Sequence, residues 1–479
     1  MDLSRSPKTV GAVVGSGALF FLGTGFEPVA ALTWVAPLPI LLLAPRVSGP
    51  VAAVSAAVAF LLGTANSWGL QLRSHDTPLW PVGLMINVGM SLTFLVAVVA
   101  FRAQATKGRA LFAAVAAPAV WTGLLYVVSV ANPMGLMGTF ANHQGDVPLV
   151  LQTASVTGMW GVEFLVLFVP SAVAALFAPG ASRAVRVRTA TLALVVLGTS
   201  LGWGALRQSG AEPTERVAAI ATNQTVWAPD LATQPGRDLV AAYADRIAAL
   251  PDGVKTVVLP EQSVRSTEAR PAALYEPMSR VARSRGIDVV VGFAHWDGNL
   301  KYNYALTFPA RGGDPSVYLK HHDTVSPPGD DLVFTDLRAG VEVCADLNHS
   351  TPSRDYASAG SRLLLVPASD ETDNGWQHSR VALLRGVEHG QAVVWSARTG
   401  TLMIADGRGR VVAEARTSGP EPFTAIVADV PVGPGATAYT RLGDWFGWLC
   451  LAVGIVALAT GARHVRSRAG ADVGAPPRG

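Results

Sequence analysis

Charge is scarce in this chain, and so is cysteine. Only 15% of the 479 residues are charged while 50% are hydrophobic, a balance that excludes an ordinary soluble protein and requires part of the chain to sit in lipid. The formal net charge is +3, and no basic tract is interleaved with aromatic residues, which excludes nucleic acid as a partner. The two cysteines, Cys344 and Cys450, lie in a polar stretch and in a terminal apolar run respectively, so no disulfide framework is available. The polar part holds no glycine-rich phosphate loop, no Cys/His metal spacing and no G-x-S-x-G elbow, which argues against a cofactor and against a metal. His321 and His322 are adjacent and would face opposite sides of a strand, so exposed or supporting roles suit them better than metal ligation.

What the chain does have is long apolar runs. Those near 9–26, 29–43, 51–70, 79–101, 110–130, 158–178, 190–206 and 445–462 approach the ~20 residues a helix needs to cross a bilayer. The second is short and carries Pro37 and Pro39, which predicts a kinked or re-entrant segment. Arg5, Lys8, Arg46, Arg102, Lys107, Arg109, Arg183, Arg186, Arg188, Arg463, Arg466 and Arg468 all fall on one side of this alternation, and cytoplasmic loops are where Lys and Arg concentrate. The expected organisation is a seven-span bundle over 1–208, an extracytoplasmic domain over 209–440, a last span over 441–465 and a cytoplasmic tail over 466–479. Both termini are then cytoplasmic. A plain anchor needs fewer spans, so a bundle offering acyl chains a lateral path is the sharper of two readings. Glu163, the one acidic residue well inside a run, is expected to reach the interface.

Between 210 and 440 the pattern changes to short β-rich runs and amphipathic helices. Strands are expected at 217–222, 256–259, 288–293, 302–308, 316–319, 341–343, 363–366, 392–396 and 402–405, with helices at 238–250, 272–285 and 379–389. Gly407-Arg408-Gly409 turns the chain into a final strand at 411–415. The layers are those of an α/β sandwich. In three places a reactive residue directly follows an apolar strand: Val257-Val258-Leu259-Pro260-Glu261, Val317-Tyr318-Leu319-Lys320 and Val341-Glu342-Val343-Cys344. Strand ends are where side chains converge in layered folds. A thiol needs a base, which Glu261 supplies, and Lys320 with the backbone N–H after Cys344 can hold the oxyanion formed on a carbonyl.

This arrangement resembles the nitrilase, or carbon-nitrogen hydrolase, superfamily and within it the apolipoprotein N-acyltransferase family. The similarity runs through Gly25-Phe26-Glu27-Pro28, Leu32-Thr33-Trp34-Val35-Ala36-Pro37-Leu38 and Gly158-Met159-Trp160-Gly161-Val162-Glu163 in the first half. In the second half it includes Leu259-Pro260-Glu261-Gln262-Ser263, Tyr318-Leu319-Lys320-His321-His322, Arg385-Gly386-Val387-Glu388-His389-Gly390 and Ala438-Tyr439-Thr440-Arg441-Leu442-Gly443-Asp444-Trp445. The resemblance implies a helical membrane bundle bearing a nitrilase-like αββα sandwich, without a cofactor and as a monomer. It implies that Cys344 takes an acyl group from a membrane phospholipid as a thioester and passes it to the α-amine of a lipoprotein's diacylglyceryl-cysteine. Glu261 would be general base and acid, and Lys320 the oxyanion partner.

The chain departs from the family around this set. Ala345-Asp346 replaces the usual Tyr-Glu after the nucleophile, and the loop after Lys320 runs Ser326-Pro327-Pro328-Gly329-Asp330-Asp331 in place of Pro-Phe-Gly-Glu. Asp330, or Asp331, is the nearest substitute for a second carboxylate that orients Lys320. Trp227 stands where the family has a functionally placed tryptophan, and Trp376 ends a recast loop, Ser369 to Trp376, beside the substrate. Arg385, Glu388 and His389 share a helix and suggest an ion pair of structural use. Asp444 and Arg441 are expected to fix the domain on the bilayer. Other readings remain open: a paralogue acylating another amine, a membrane-tethered amidase or nitrilase with water as acceptor, and a non-catalytic scaffold.

Overall fold

In lipid a helix satisfies its own backbone groups, so apolar runs that enter a bilayer must be helical. The computed structural model describes residues 7–74, 78–210, 212–223, 227–370 and 373–472, with side chains as far as residue 462. Five described helices are long and apolar enough to cross a membrane: Leu79–Ala105, Ala110–Ala131, Met159–Leu176, Arg183–Gln208 and Trp445–Ala462. A sixth forms if Gly49–Gly63 and Ala65–Gln71, bent by 48°, count as one span. The first two expected spans are shorter. Pro7–Gly23 has 17 residues, and the segment Ala30–Arg46 is broken between Thr33 and Leu38, around Pro37. Arg5 lies outside the described residues, as do the side chains of Arg463, Arg466 and Arg468.

Helices in such bundles approach closely where residues are small. A Cβ at Gly123 would lie 2.7 Å from the Cα of Leu451, so only glycine lets Ala110–Ala131 meet the last helix there. Glu163 is enclosed by protein near the start of its helix. It is fully buried, accepting from the Trp121 indole at 2.9 Å and from the Ala141 backbone N–H at 2.6 Å. A carboxylate enclosed by apolar helices needs donors, and here one comes from a neighbouring helix and one from a connecting loop.

The polar half folds as two packed sheets. Twelve described strands form in order: β1 Thr214–Thr222, β2 Thr256–Val258, β3 Val264–Ser266, β4 Asp288–Asp297, β5 Leu300–Phe308, β6 Ser316–Leu319, β7 Gly340–Val341, β8 Leu363–Ala368, β9 Ala392–Ala397, β10 Thr401–Ala405, β11 Val411–Arg416 and β12 Phe423–Pro431. One sheet runs β12-β1-β2-β4-β5-β6 with β3 beside β4, the other β11-β10-β9-β8-β7. Alternation along the strands explains the layering. Val217, Ala219, Val258 and Val290 share a core with Leu364 and Val394 of the facing sheet, whereas Ala218, Ile220, Val257 and Val289 pack against Leu239, Tyr243, Leu274 and Met278 of helices Gln234–Ala248 and Ala272–Arg285. Helices Ser353–Ser358 and Gly375–His389 cover the second sheet, completing an αββα sandwich. β3, β12 and the helices Ser353–Ser358 and Ala438–Leu442 were not expected.

Polar contacts join sandwich and bundle. Asp444 accepts from the Trp160 indole and the Tyr439 hydroxyl, each at 2.7 Å. Arg380 donates to Asp146 at 2.7 Å, and Gln152 donates to the Arg408 carbonyl at 2.8 Å. Arg385 and Glu388 are a buried ion pair, and Glu388 also accepts from the Met159 N–H at 2.5 Å, where a bundle helix begins. The Arg441 carbonyl accepts from Arg354 at 3.4 Å, within the sandwich side of the seam. The bundle loop before Thr139 touches the segment after Cys344, with Asn348 donating to the Met134 carbonyl at 3.2 Å.

Candidate active site

The three strand ends singled out above converge. Past β2, the Glu261 backbone N–H bonds the Ala368 carbonyl at the end of β8, which ties the two sheets together at this edge. Past β6, the Lys320 N–H bonds the Asn303 carbonyl of β5. Past β7, Val343 is extended and Cys344 turns to φ 48°, opening a 3-10 turn over Cys344–Asn348. Left-handed backbone is uncommon for a residue other than glycine and is found at functional turns that aim a side chain. The Lys320 ammonium donates to Glu261 Oε1 at 2.9 Å, and the Asn303 amide donates to the same oxygen at 2.7 Å. The thiol donates to the Ser369 carbonyl at 3.5 Å, and the Glu261 carboxylate lies near enough for its charge to act on it. Glu261, Lys320 and Cys344 are 4%, 8% and 6% exposed, so all three side chains lie away from bulk water.

Burial alone would raise the Glu261 carboxyl, but the Lys320 charge and the Asn303 amide outweigh it and hold the group below the usual carboxylate range. Burial likewise disfavours the Lys320 ammonium, and Glu261, with Cys344 and Asp346 behind it, more than restores it. The Cys344 thiol is pushed well up, first by burial and then by the Glu261 charge, against the pull of Lys320. At rest the set is therefore a carboxylate, an ammonium and a neutral thiol. Such a thiol offers no standing thiolate, and the Glu261 carboxylate beside it is a group that could accept its proton.

Asp346 holds the elbow. Its carboxylate accepts from the Tyr318 hydroxyl at 2.7 Å, the His322 backbone N–H at 2.7 Å and the Val343 N–H at 3.0 Å, so it links the Lys320 strand to the turn carrying Cys344. Ala345, partly exposed, lies between them. Asp330 and Asp331 are exposed on the loop after Lys320; the carboxylates acting on that ammonium are Glu261 and Asp346, and Asp323 is the loop residue coupled to it. The His322 ring lies 3.7 Å from that of His349 in a stack, and burial lowers its basicity. Trp227 is half exposed beneath the Arg398 guanidinium, 3.8 Å from its ring centre. Trp376 donates to Asp146 at 3.2 Å and so faces the bundle loop.

Two side chains at this site escaped the sequence reading. His378 Nδ1 and Asp370 Oδ1 are 2.6 Å apart, both residues are buried, and one donor atom from each lies within 4.8 Å of the Cys344 sulfur and of the other. Burial raises the Asp370 carboxyl, and the His378 ring partly offsets this. As a metal site the group fits poorly: a ring nitrogen is already committed to the carboxylate, and a bound ion would occupy the sandwich's single thiol. The available signal was Ser369-Asp370 at the end of β8, since that position follows an apolar strand as Glu261, Lys320 and Cys344 do.

Comparison with known proteins bears on this geometry. Residues 216–433 match the family described as Carbon-nitrogen hydrolase, and residues 16–172 match the Apolipoprotein N-acyltransferase N-terminal domain. The chain is 25% identical over 506 aligned residues to an apolipoprotein N-acyltransferase of Geobacter metallireducens, covering 94% of each chain. It is 25% identical to one of Gloeobacter violaceus, covering 95% of each. Among solved structures, Saccharomyces cerevisiae Nit3, a member of branch 10 of the nitrilase superfamily, is similar at 21% identity and a TM-score of 0.38, over 45% of this chain and 90% of that one. Two family domains in tandem, together with relatives matched almost end to end, establish that the chain belongs to the apolipoprotein N-acyltransferase family of the carbon-nitrogen hydrolase superfamily.

Proposed function

We propose that this protein moves a fatty acyl group from a membrane phospholipid to the N-terminal amine of a diacylglyceryl-cysteine lipoprotein, by way of a thioester on Cys344. The observation that carries the reading is the buried Glu261–Lys320 pair at 2.9 Å with the Cys344 thiol beside it on a left-handed elbow. The thiol sulfur attacks the ester carbonyl as its proton passes to Glu261. The oxyanion forms against the Lys320 ammonium and the Ala345 backbone N–H. As the intermediate collapses, the C–O bond breaks and Glu261 returns the proton to the departing alcohol, leaving lysophospholipid and acyl-enzyme. The amine then attacks the thioester, the C–S bond breaks, and the sulfur regains a proton through Glu261.

We infer that the bundle holds this chemistry at a lipid surface. We assign the sandwich to the extracytoplasmic side, both termini to the cytoplasm, and residues 1–208, 209–440 and 441–465 to bundle, sandwich and last span, on the distribution of Lys and Arg. The test is direct. Purified protein supplied with phospholipid alone should gain the mass of one acyl chain, and peptide mapping should find it on Cys344. Cys344→Ser should gain none, and Cys450→Ser, which alters a buried residue of the last helix, should label as wild type does. Absence of the adduct from folded wild-type protein would reject the acyl-transfer reading in favour of the amidase one.

A further inference from the structure

We propose that Asp370 and His378 form a subsite for a primary ammonium, where the acceptor's α-amine is held and relieved of its surplus proton before it attacks the thioester. This rests on the reading of Cys344 as the acyl carrier.

The proton balance of the second half-reaction creates the need. An α-amine titrates near 7.7–8.0, so at neutral pH the acceptor arrives mostly as an ammonium. Turning that ammonium into an amide N–H removes two protons from nitrogen. One returns to the sulfur as the C–S bond breaks, and Glu261 serves that transfer. The other has to leave before attack, because a protonated nitrogen has no lone pair. The first half-reaction has no such surplus, since the thiol proton departs with the alcohol. Glu261 is also bonded to Lys320 and Asn303 and is held in its weakly basic, ionised form, so it is badly placed to strip a second proton.

The Asp370–His378 pair meets the requirement on geometry. Both residues are more than nine-tenths buried, yet His378 Nε2 has no hydrogen-bond partner among the described residues, and Asp370 Oδ2 has only the Trp395 indole N–H near it, outside ordinary hydrogen-bond geometry. Buried polar atoms are rarely left unpaired, and one acceptor on each of two joined side chains suits a ligand that brings several N–H donors. Nδ1 of His378 faces Asp370 Oδ1 at 2.6 Å, which leaves Nε2 as the free acceptor, the arrangement by which a carboxylate orients an imidazole as a base. The pair is fixed in place. Thr399 donates to the Asp370 carbonyl, a Cβ on Gly400 would lie 2.9 Å from that of Asp370, and the Trp395 ring packs edge-on against His378 at 4.8 Å between centres. Ser369, whose carbonyl accepts from the thiol, is the neighbour of Asp370, so the ammonium would be held beside the sulfur that carries the acyl group. His378 takes one proton from the ammonium nitrogen and releases it to solvent after the acylated product leaves.

The experiment separates the half-reactions in the full-length protein. Wild type, His378→Gln and Asp370→Asn are acylated with phospholipid, and the adduct on Cys344 is followed by intact mass. The isolated acyl-enzymes are then given either a diacylated lipopeptide or hydroxylamine, whose nitrogen is unprotonated at neutral pH. The adduct is expected to form in both variants, which shows that they are folded, and transfer is scored per acyl-enzyme formed, so a change in acylation rate does not enter the comparison. Transfer to the lipopeptide at pH 7 should fall at least tenfold and recover as pH is raised towards 9, while transfer to hydroxylamine should match wild type. Unchanged transfer to the lipopeptide would overturn the proposal, as would an equal loss with both acceptors or a loss of acylation itself. Failure of wild type to form the adduct would instead strike the underlying reading of Cys344.

Discussion

At the scale of single residues, the proposed reaction depends on how Glu261 is held. Asn303 donates to the oxygen that Lys320 also bonds, and both favour the carboxylate over the acid. Asn303→Leu removes one of these donors while keeping bulk. Hydrogen bonds to charged groups contribute about 1.5–3 kcal/mol, so acylation of Cys344 should slow by roughly 10- to 100-fold. Losing a donor that favours the ionised form raises the Glu261 pKa, so the acidic limb of the acylation pH profile should move to higher pH. A slower rate with an unmoved limb would mean that Asn303 positions substrate instead. Asp346 acts through the backbone. Asp346→Asn would turn amide hydrogens towards N–H groups that now have an acceptor, loosening the elbow. The expected results are a drop in unfolding free energy on the order of 2 kcal/mol and a fall in acylation rate with little change in apparent lipid affinity, measured by thermal melts and initial rates.

Elements explain why some of this was legible in the sequence and some was not. Glu261, Lys320 and Cys344 stood out because each ends an apolar strand, a local signal that survives without any tertiary knowledge. The helix Ala272–Arg285 and strand β6 match their expected bounds because amphipathic period and strand pattern are unbroken there. β12 was missed. Its nine residues pair with β1 along their full length, yet they are mostly half-buried with no clean alternation, as befits an edge strand partly covered by the other sheet. β3 has three residues, too few to show a period. The pairing of Asp370 with His378 spans a loop and a helix turn, which no spacing rule encodes. The loop after Lys320 carries Pro327-Pro328-Gly329, and Asp323 caps it by accepting from Val325 and Ser326 at 2.8 Å each, while the Gly329 N–H bonds the Lys320 carbonyl at 2.9 Å. A Cβ at Gly329 would lie 2.4 Å from the Leu319 carbonyl oxygen. Gly329→Ala should therefore push the loop off the Lys320 backbone and lower acylation at least tenfold, with a melting temperature within a few degrees of wild type. Full activity in that variant would show that the loop does not position the ammonium.

For the whole molecule, the question is how tightly a catalytic sandwich is docked on a helical bundle, and Glu388 sits at that seam. It pairs with Arg385, accepts from Met159 N–H at the start of a bundle helix and lies near Asp444, which binds Trp160. Burial, opposed by the Arg385 charge, raises the Glu388 carboxyl to about 7. The folded state thus holds the Glu388 proton more firmly than the unfolded chain, where a glutamate titrates near 4.3. The stability that this proton confers is fully present below the unfolded value, declines as pH rises, and is lost once pH passes about 7. The ion pair with Arg385 and the Met159 bond remain above that point, so the molecule loosens without coming apart. Glu388→Gln keeps an oxygen for Met159 and abolishes the titration. It should be less stable than wild type at pH 5, because the Arg385 guanidinium loses its carboxyl partner, and its melting temperature should change less between pH 5 and 8. The comparison needs only thermal melts of the two proteins in one detergent across that range. Parallel pH dependences would mean that Glu388 is already ionised throughout, and that the seam is held by a permanent ion pair.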